Sequence, residues 1–155
     1  MRMVDLDDLD LRDKGGYVLL IRLKERSEIR IGRLGTLQFD SGYYAYIGSA
    51  MGGLRQRISR HLRKEKKLHW HIDYFLEKAS LENLIVCQSE ENIECNISHE
   101  IGRVYRVINR FGSSDCKCPG HLFYSPFMVN DTIPVQLVSA GLNPQFIIND
   151  QDNGN

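Results

Sequence analysis

The sequence lacks any apolar run that approaches a membrane span. The longest, such as Val18-Leu19-Leu20-Ile21, last a few residues, against about 20 needed to cross a bilayer as a helix. It also lacks a signal peptide. Met1 to Lys14 carries Asp5, Asp7, Asp8, Asp10 and Asp13 and no apolar centre, so the expected location is the cytoplasm. Cysteine is scarce: Cys87, Cys95, Cys116 and Cys118 are the 4 present. Without an export signal they do not read as a disulfide framework, which leaves metal binding, redox chemistry or plain burial. No internal repeat or low-complexity tract is present. Nor is there an excess of one charge, since the formal net charge is zero, and this at first argues against a polyanionic partner.

The average hides an asymmetry. Between Leu54 and Lys67 stand Arg55, Arg57, Arg60, Arg63, Lys64, Lys66 and Lys67 against the single acid Glu65. Acids gather instead in Asp5 to Asp13 and in Glu77 to Glu100. Phosphate attraction decays over a Debye length of about 8–10 Å, so the local cluster matters more than the total. The plainer alternative is a solvated helix face.

At 155 residues the chain is the size of one ordinary domain. Its 42% hydrophobic and 26% charged residues are those of a globular chain and exclude a disordered one. Tyr17 to Leu23, after Gly15-Gly16, reads as a buried strand, and Glu28 to Ile31 alternates as a half-exposed one. Tyr43 to Ile47, between Gly42 and Gly48, is another. After Gly52-Gly53, Leu54, Ile58 and Leu62 recur at i, i+4 and i+8 and mark a helix, with Arg57 and His61 flanking its apolar stripe. A second helix is expected from His69 to Ala79, and a short strand at Leu84 to Cys87. Ile93, Ile97, Ile101, Val104 and Ile108 share one face of a helix spanning 92–109. Beyond Tyr124, Pro126, Pro134 and Pro144 break the chain into short pieces, with a strand expected at Pro134 to Val138 and frayed residues from Asn149 to Asn155. The expected organisation is an acidic arm (1–14), a central domain (15–125) and a partly flexible C-terminal extension (126–155). The expected fold class is α+β, a small antiparallel sheet flanked by about three helices.

The densest unusual segment is Gly42-Tyr43-Tyr44-Ala45-Tyr46-Ile47-Gly48-Ser49-Ala50, followed by Arg57 and His61. A strand ending in glycine, a small-residue loop and a basic helix offer backbone N–H groups to an anion. Phenols arrive from the strand and a guanidinium from the helix. Such a set suits a phosphodiester, the guanidinium facing the phosphorane charge and a phenol positioning water or moving a proton. Tyr43 and Tyr44 read as packing residues, with one of them lining the cleft.

Tyr46-Ile47-Gly48, with Gly15-Gly16-Tyr17 upstream and Arg57 downstream, resembles the two signatures of the GIY-YIG endonucleases. Glycine at 16 replaces the usual isoleucine. A narrower resemblance spans Tyr17 to Tyr124. Trp70-His71-Ile72-Asp73-Tyr74, Glu94-Cys95 and Phe111-Gly112-Ser113-Ser114-Asp115-Cys116-Lys117-Cys118 are similar to a GIY-YIG-like group of unknown function. That group occurs mainly in archaea, alone or fused to endonuclease-III-type DNA glycosylases. The resemblance implies a metal-dependent endonuclease, with DNA in a repair context as substrate and a repair glycosylase as associate. Tyr17 corresponds to a tyrosine general base, Tyr46 to its hydroxyl partner, Arg57 to the family arginine and His61 to a histidine of part of the family. Glu94 is the chosen ligand of a single Mg²⁺ or Mn²⁺, with Glu100 the alternative. Ser49, Arg55, Arg60, Arg63, Lys64, Lys66 and Lys67 would contact the nucleic-acid backbone, without base reading. For Tyr17 to act as a base its pKa must fall from about 10, and Arg57 acts in that direction.

Without the resemblance, Tyr17 and Tyr46 would be ordinary sheet aromatics and Arg57 a surface arginine. His61 could contact phosphate, protonate the leaving oxygen or sit at a helix rim. His69 and Asp73, at i and i+4, could pair or line the site. Cys116-x-Cys118-x2-His121, with Cys95 or a histidine as fourth ligand, could hold zinc, or it could be a tight turn burying cysteines. Cys87 reads as core. Two other classes stay open: a nucleic-acid-binding module without cleavage, and a zinc-stabilised interaction domain.

Overall fold

The long apolar stretch Tyr17-Val18-Leu19-Leu20-Ile21 can be buried on both sides only at the centre of a covered sheet. In the computed structural model, which describes residues 3–148, it lies in strand β2 (Gly15–Leu23), where all these side chains are buried. Strands β5 (Gly42–Ala50) and β6 (Ser80–Gln88) flank it, both antiparallel. Outside β5 come β8 (Leu122–Ser125) and then β7 (Arg106–Val107). Outside β6 come β9 (Pro144–Ile148) and β1 (Met3–Asp5), the latter two parallel to each other. The sheet order is therefore β1-β9-β6-β2-β5-β8-β7. β3 (Ser27–Arg30) and β4 (Thr36–Phe39) form a separate hairpin.

Period-two alternation separates two cores. Tyr17, Leu19 and Ile21, with Tyr44 and Tyr46, face helix α1 (Leu54–Leu62), helix α2 (His71–Leu76) and the hairpin residues Ile29 and Phe39. Val18 and Leu20, with Ala45 and Ile47, face helices α3 (Glu94–Gly102) and α4 (Thr132–Ser139) through Ile97, Ile101, Ile133 and Leu137. Helices thus cover both faces of the sheet.

The α+β class stands, but the sheet is larger than a small antiparallel one. It has seven strands, one pair parallel, and the described residues contain four α-helices. The extra strands β1, β7, β8 and β9 are each five residues or fewer, too short for alternation to stand out, and β1 and β9 come from the acidic arm and the C-terminal segment. The strand expected at Pro134 to Val138 is helix α4 instead. Pro134 lies in its first turn, where a missing N–H removes no intrahelical bond, and Ile133 and Leu137 at i and i+4 carry its buried face. Helix α3 is shorter than the apolar periodicity implied. It stops at Gly102, whose missing Cβ would lie 3.1 Å from Phe123. Val104 is then left 65% exposed and the chain turns into β7. The expected fraying from Asn149 onward lies outside the described residues.

Candidate active site

Strands β2 and β5 are in register so that Tyr17 faces Gly48 and Leu19 faces Tyr46. The Tyr17 ring lies directly over Gly48: a Cβ there would come 2.2 Å from the ring. Glycine in the Tyr-Ile-Gly triplet is thus required by the tyrosine on the neighbouring strand. Gly16 points to the opposite face, where a Cβ would lie 2.8 Å from Ile97 and 3.1 Å from Ile93. The departure from the usual isoleucine lets α3 approach the sheet closely.

Helix α1 begins after Gly53, whose φ of 140° suits glycine alone. Its buried stripe is Leu54, Ile58 and His61. His61 is therefore a core residue, 3% exposed, and its Nε2 stands 2.7 Å from the Tyr17 hydroxyl. Burial pushes the His61 pKa down to about 3, with Lys66 adding to the effect. The imidazole is neutral at physiological pH. Its Nδ1 finds no partner among the described residues, so no neighbour dictates the tautomer. Nε2 can accept from the phenol or donate to the phenolate. The Tyr17 pKa is pushed up to about 12 by burial, against the opposing pull of Arg57. The expected fall does not occur in the protein alone, because desolvation outweighs the one guanidinium.

Arg57, one turn before His61, donates from Nη1 to the Ser49 carbonyl at 3.0 Å. Its guanidinium lies 4.4 Å from the centre of the Trp70 ring. Arg60 also stacks on Trp70, at 4.1 Å, while making bidentate bonds of 2.9 and 2.8 Å to the fully buried Asp73. Asp73 Oδ2 further accepts the backbone N–H groups of His69 and Trp70, each at 2.9 Å. Burial alone would raise the Asp73 pKa, but these bonds take it below its ordinary value. The same bonds cap α2, which is why that helix starts at His71 and not at His69.

These elements enclose a cleft of about 600 Å³ lined by Tyr17, Tyr46, Ser49, Arg57, Trp70, His71 and Glu94, with Ser114 and Asp115 on the far wall. Glu94 opens α3 and its pKa is raised by burial, with Arg57 opposing and Asp115 reinforcing the rise. Glu100 is absent from the lining and pairs with Arg103 at 3.6 Å. Of the two glutamates only Glu94 reaches the cleft.

A family model described as a domain of unknown function, DUF123, matches residues 16–140. The chain belongs to this family. DUF123 is GIY-YIG-like, and the match embraces every cleft residue named above. No curated protein and no solved structure gives a significant match.

In this DUF123 chain the sequence-chosen residues separate into groups. Tyr17, Tyr46, Arg57 and Glu94 come together at the cleft. His61 stands behind Tyr17, buried and hydrogen-bonded to its hydroxyl, and is not among the cleft-lining residues. Among the basic residues, Arg63, Lys64 and Lys67 are exposed. Arg60 is committed to Asp73. Lys66 donates to the Arg60 and His61 carbonyls at 3.1 and 2.9 Å and caps the C-terminus of α1, and Arg55 pairs with Asp7 at 3.4 Å. The Ser49 hydroxyl is buried without a partner among the described residues. Neither Tyr43 nor Tyr44 lines the cleft: Tyr44 is buried and donates to the Asp40 carbonyl at 2.6 Å. Trp70 and His71, which the sequence reading gave no role, do line it. The Gly112 N–H donates to His71 Nδ1 at 2.9 Å, which leaves the neutral ring with its proton on Nε2. The Trp70-His71 pair within the family-like stretch was the available signal.

A second cluster adjoins the cleft. One ligand atom from each of Cys95, Cys116, Cys118 and His121 lies within 4.8 Å of the others, and this set could hold a metal ion. Among the described residues no helix is long and apolar enough to cross a membrane.

Proposed function

We propose that this protein is a metal-dependent endonuclease that hydrolyses phosphodiester bonds of DNA in a repair context. The observation that carries the reading is the convergence, in one open cleft, of Tyr17, Arg57, Tyr46 and Glu94, with His61 hydrogen-bonded to Tyr17 from behind. The resemblance to GIY-YIG nucleases supports it. The fusions known for similar proteins favour DNA, and a glycosylase as associate, by analogy alone.

A divalent cation in the cleft is part of this reading, and the carboxylates that line the cleft support it. Glu94 and Asp115 both line the cleft, and a divalent cation there would relieve the repulsion between two carboxylates. Glu94 would hold Mg²⁺ or Mn²⁺, which supplies charge neutralisation at the scissile phosphate. Arg57, already oriented by Ser49 and Trp70, stabilises negative charge that builds on the phosphoryl oxygens. Tyr17 positions the attacking water and takes its proton when in the phenolate form, which Nε2–H of His61 stabilises. Tyr46 presents a second phenol beside it. His71 faces the cleft with an Nε2–H donor suited to a phosphate oxygen. Arg63, Lys64 and Lys67 extend the positive surface along which the backbone would run.

The test is cleavage of labelled duplex, flap, branched and single-stranded DNA and RNA with Mg²⁺ or Mn²⁺ by wild type, Arg57→Ala, Glu94→Ala and Glu100→Ala. The expected result is cleavage lost in the first two variants and kept in the third. Salt-dependent DNA binding with no cleavage by wild type under any condition would replace the nuclease with a binding module.

A further inference from the structure

The loop from Asn109 to His121 has little regular structure to hold it. Arg110 and Gly112 adopt φ of 66° and 72°. Backbone bonds from Arg110 N–H to the Pro119 carbonyl (2.6 Å) and from His121 N–H to the Phe111 carbonyl (2.8 Å) close its base, while the tip between them has only the backbone bond from Cys116 N–H to the Ser113 carbonyl at 3.4 Å. Yet this loop supplies a wall of the cleft through Gly112, Ser114 and Asp115. The first turn of α3 supplies another through Glu94. Two segments that must keep a fixed spacing meet at the cysteine cluster.

We infer that Cys95, Cys116, Cys118 and His121 form a structural zinc site that clamps the loop to the start of α3. Cys95 follows Glu94 on α3, Cys116 and Cys118 lie on the loop, and His121 leads into β8. Tetrahedral zinc, at about 2.3 Å from sulfur and 2.0–2.1 Å from nitrogen, places its ligand atoms about 3.5–3.8 Å apart. The four ligand atoms already fall within 4.8 Å of one another, and Cys116 Sγ is 3.1 Å from His121 Nε2. Side-chain adjustment of less than an ångström or so closes the site.

The donor set selects the ion. Three thiols and one imidazole suit zinc and disfavour the hard cations that the carboxylates of the cleft would take. All four cysteines of the chain are free thiols. On binding, the three thiols of the cluster lose their protons to solvent and bind as thiolates. Four protein donors leave no open position, so the ion holds structure and performs no chemistry.

An outer contact supports the same assignment. The other nitrogen of His121, Nδ1, is 2.5 Å from the buried Ser98 hydroxyl on α3. His121 is itself 1% exposed. Ser98 thus anchors the ring with Nε2 turned toward the sulfurs, the kind of partner that orients a metal-bound histidine. Zinc would therefore join the loop to α3 at both Cys95 and, through His121, Ser98.

The experiment needs no nucleic acid and is independent of hydrolytic activity. Metal content is measured on the purified full-length protein, and Co²⁺ is exchanged for zinc to read absorbance. The expected results are stoichiometric zinc, thiolate-to-cobalt charge-transfer bands and the visible bands of a tetrahedral site. Cys116→Ser/Cys118→Ser loses both signals. Ser98→Ala, which leaves every ligand in place, keeps the fold by circular dichroism and binds zinc about 10–100-fold more weakly. Protein that neither retains zinc nor develops cobalt charge-transfer bands overturns the inference. So does full zinc retention by the double serine variant, or unchanged zinc affinity in Ser98→Ala.

Discussion

The Tyr17 hydroxyl lies 2.7 Å from His61 Nε2, and the two residues are 44 positions apart. A strand and a helix that share no local sequence relationship are packed so that a phenol on one is hydrogen-bonded to a neutral imidazole on the other. The histidine is buried, the tyrosine reaches the cleft, and each alters what the other can do.

The pH dependence of cleavage should reflect this pair. Tyr17 titrates at about 12 in the protein without bound metal, so its phenolate is scarce at neutral pH and increases with pH. The rate is expected to rise with pH through the neutral range, by up to about tenfold per unit, because the pH there lies well below the Tyr17 pKa. His61, at about 3, contributes no limb in that range. Tyr17→Phe should cost roughly 10²–10⁴-fold and abolish the slope, whereas His61→Gln should retain part of the rate. A flat profile for wild type would remove Tyr17 from the role of base.

Stability should fall in mild acid for the same structural reason. The folded-state pKa of His61, about 3, is below its ordinary 6.5. Below pH 6.5 the unfolded chain therefore binds a proton that the folded chain refuses. Stability is lost as pH drops from 6.5 toward 3, by up to about 1.4 kcal/mol per unit, with no contribution above 6.5. Urea unfolding at pH 7.5 and 5.0 should differ by about 2 kcal/mol more in wild type than in His61→Gln. Equal differences would mean that His61 charges freely and is not held in the core.

The glycines under the sheet surface should not be equivalent. Gly48→Ala places a methyl 2.2 Å from the Tyr17 ring, which is itself confined between His61 and the sheet. It is expected to cost about 1–3 kcal/mol or more and to remove activity by displacing the phenol. Gly16→Ala meets the end of the Ile97 side chain at 2.8 Å, which can shift, and should lower stability less while leaving Tyr17 in place. Urea titrations together with cleavage rates separate the two, and greater loss of activity in Gly16→Ala would contradict the assignment.

Basic residues on and after α1 should divide into structural and surface groups. Arg60→Ala leaves the fully buried Asp73 carboxylate without its cation and should destabilise by about 3–5 kcal/mol. Arg63→Ala and Lys64→Ala remove exposed charges and should change stability by no more than about 0.5 kcal/mol. Each should instead reduce the slope of log affinity for DNA against log salt by roughly one if it contacts phosphate. Unfolding curves and binding titrations across a salt series measure both effects.

Much of the site's frame was legible in the residues themselves. The apolar stretch of β2, the glycine-bounded β5 and the i, i+4 stripe of α1 are local patterns, and each formed the element it indicated. Tyr17, Tyr46 and Arg57 are singled out by the family resemblance, since local pattern alone would leave them as sheet aromatics and a surface arginine. Glu94 and Glu100 both border the apolar face of α3, and the sequence favours Glu94 only because it opens the helix where the family resemblance places its glutamate. The direction in which α3 meets the sheet, with its first turn at the cleft, separates them physically.

What the sequence by itself determined was the short-range part: the central strands, helix α1 and the glycine before it, and the presence of tyrosines and an arginine near the end of a strand. Tertiary structure decided the rest. It turned His61 into the core, gave Arg60 to Asp73, made a helix of the segment containing Pro134, and gathered Cys95, Cys116, Cys118 and His121 from two distant segments. The physical reason is one of range. Periodicity reports which side of an element is apolar, but the partner of a buried polar or charged group is set by desolvation, and desolvation depends on everything packed around it.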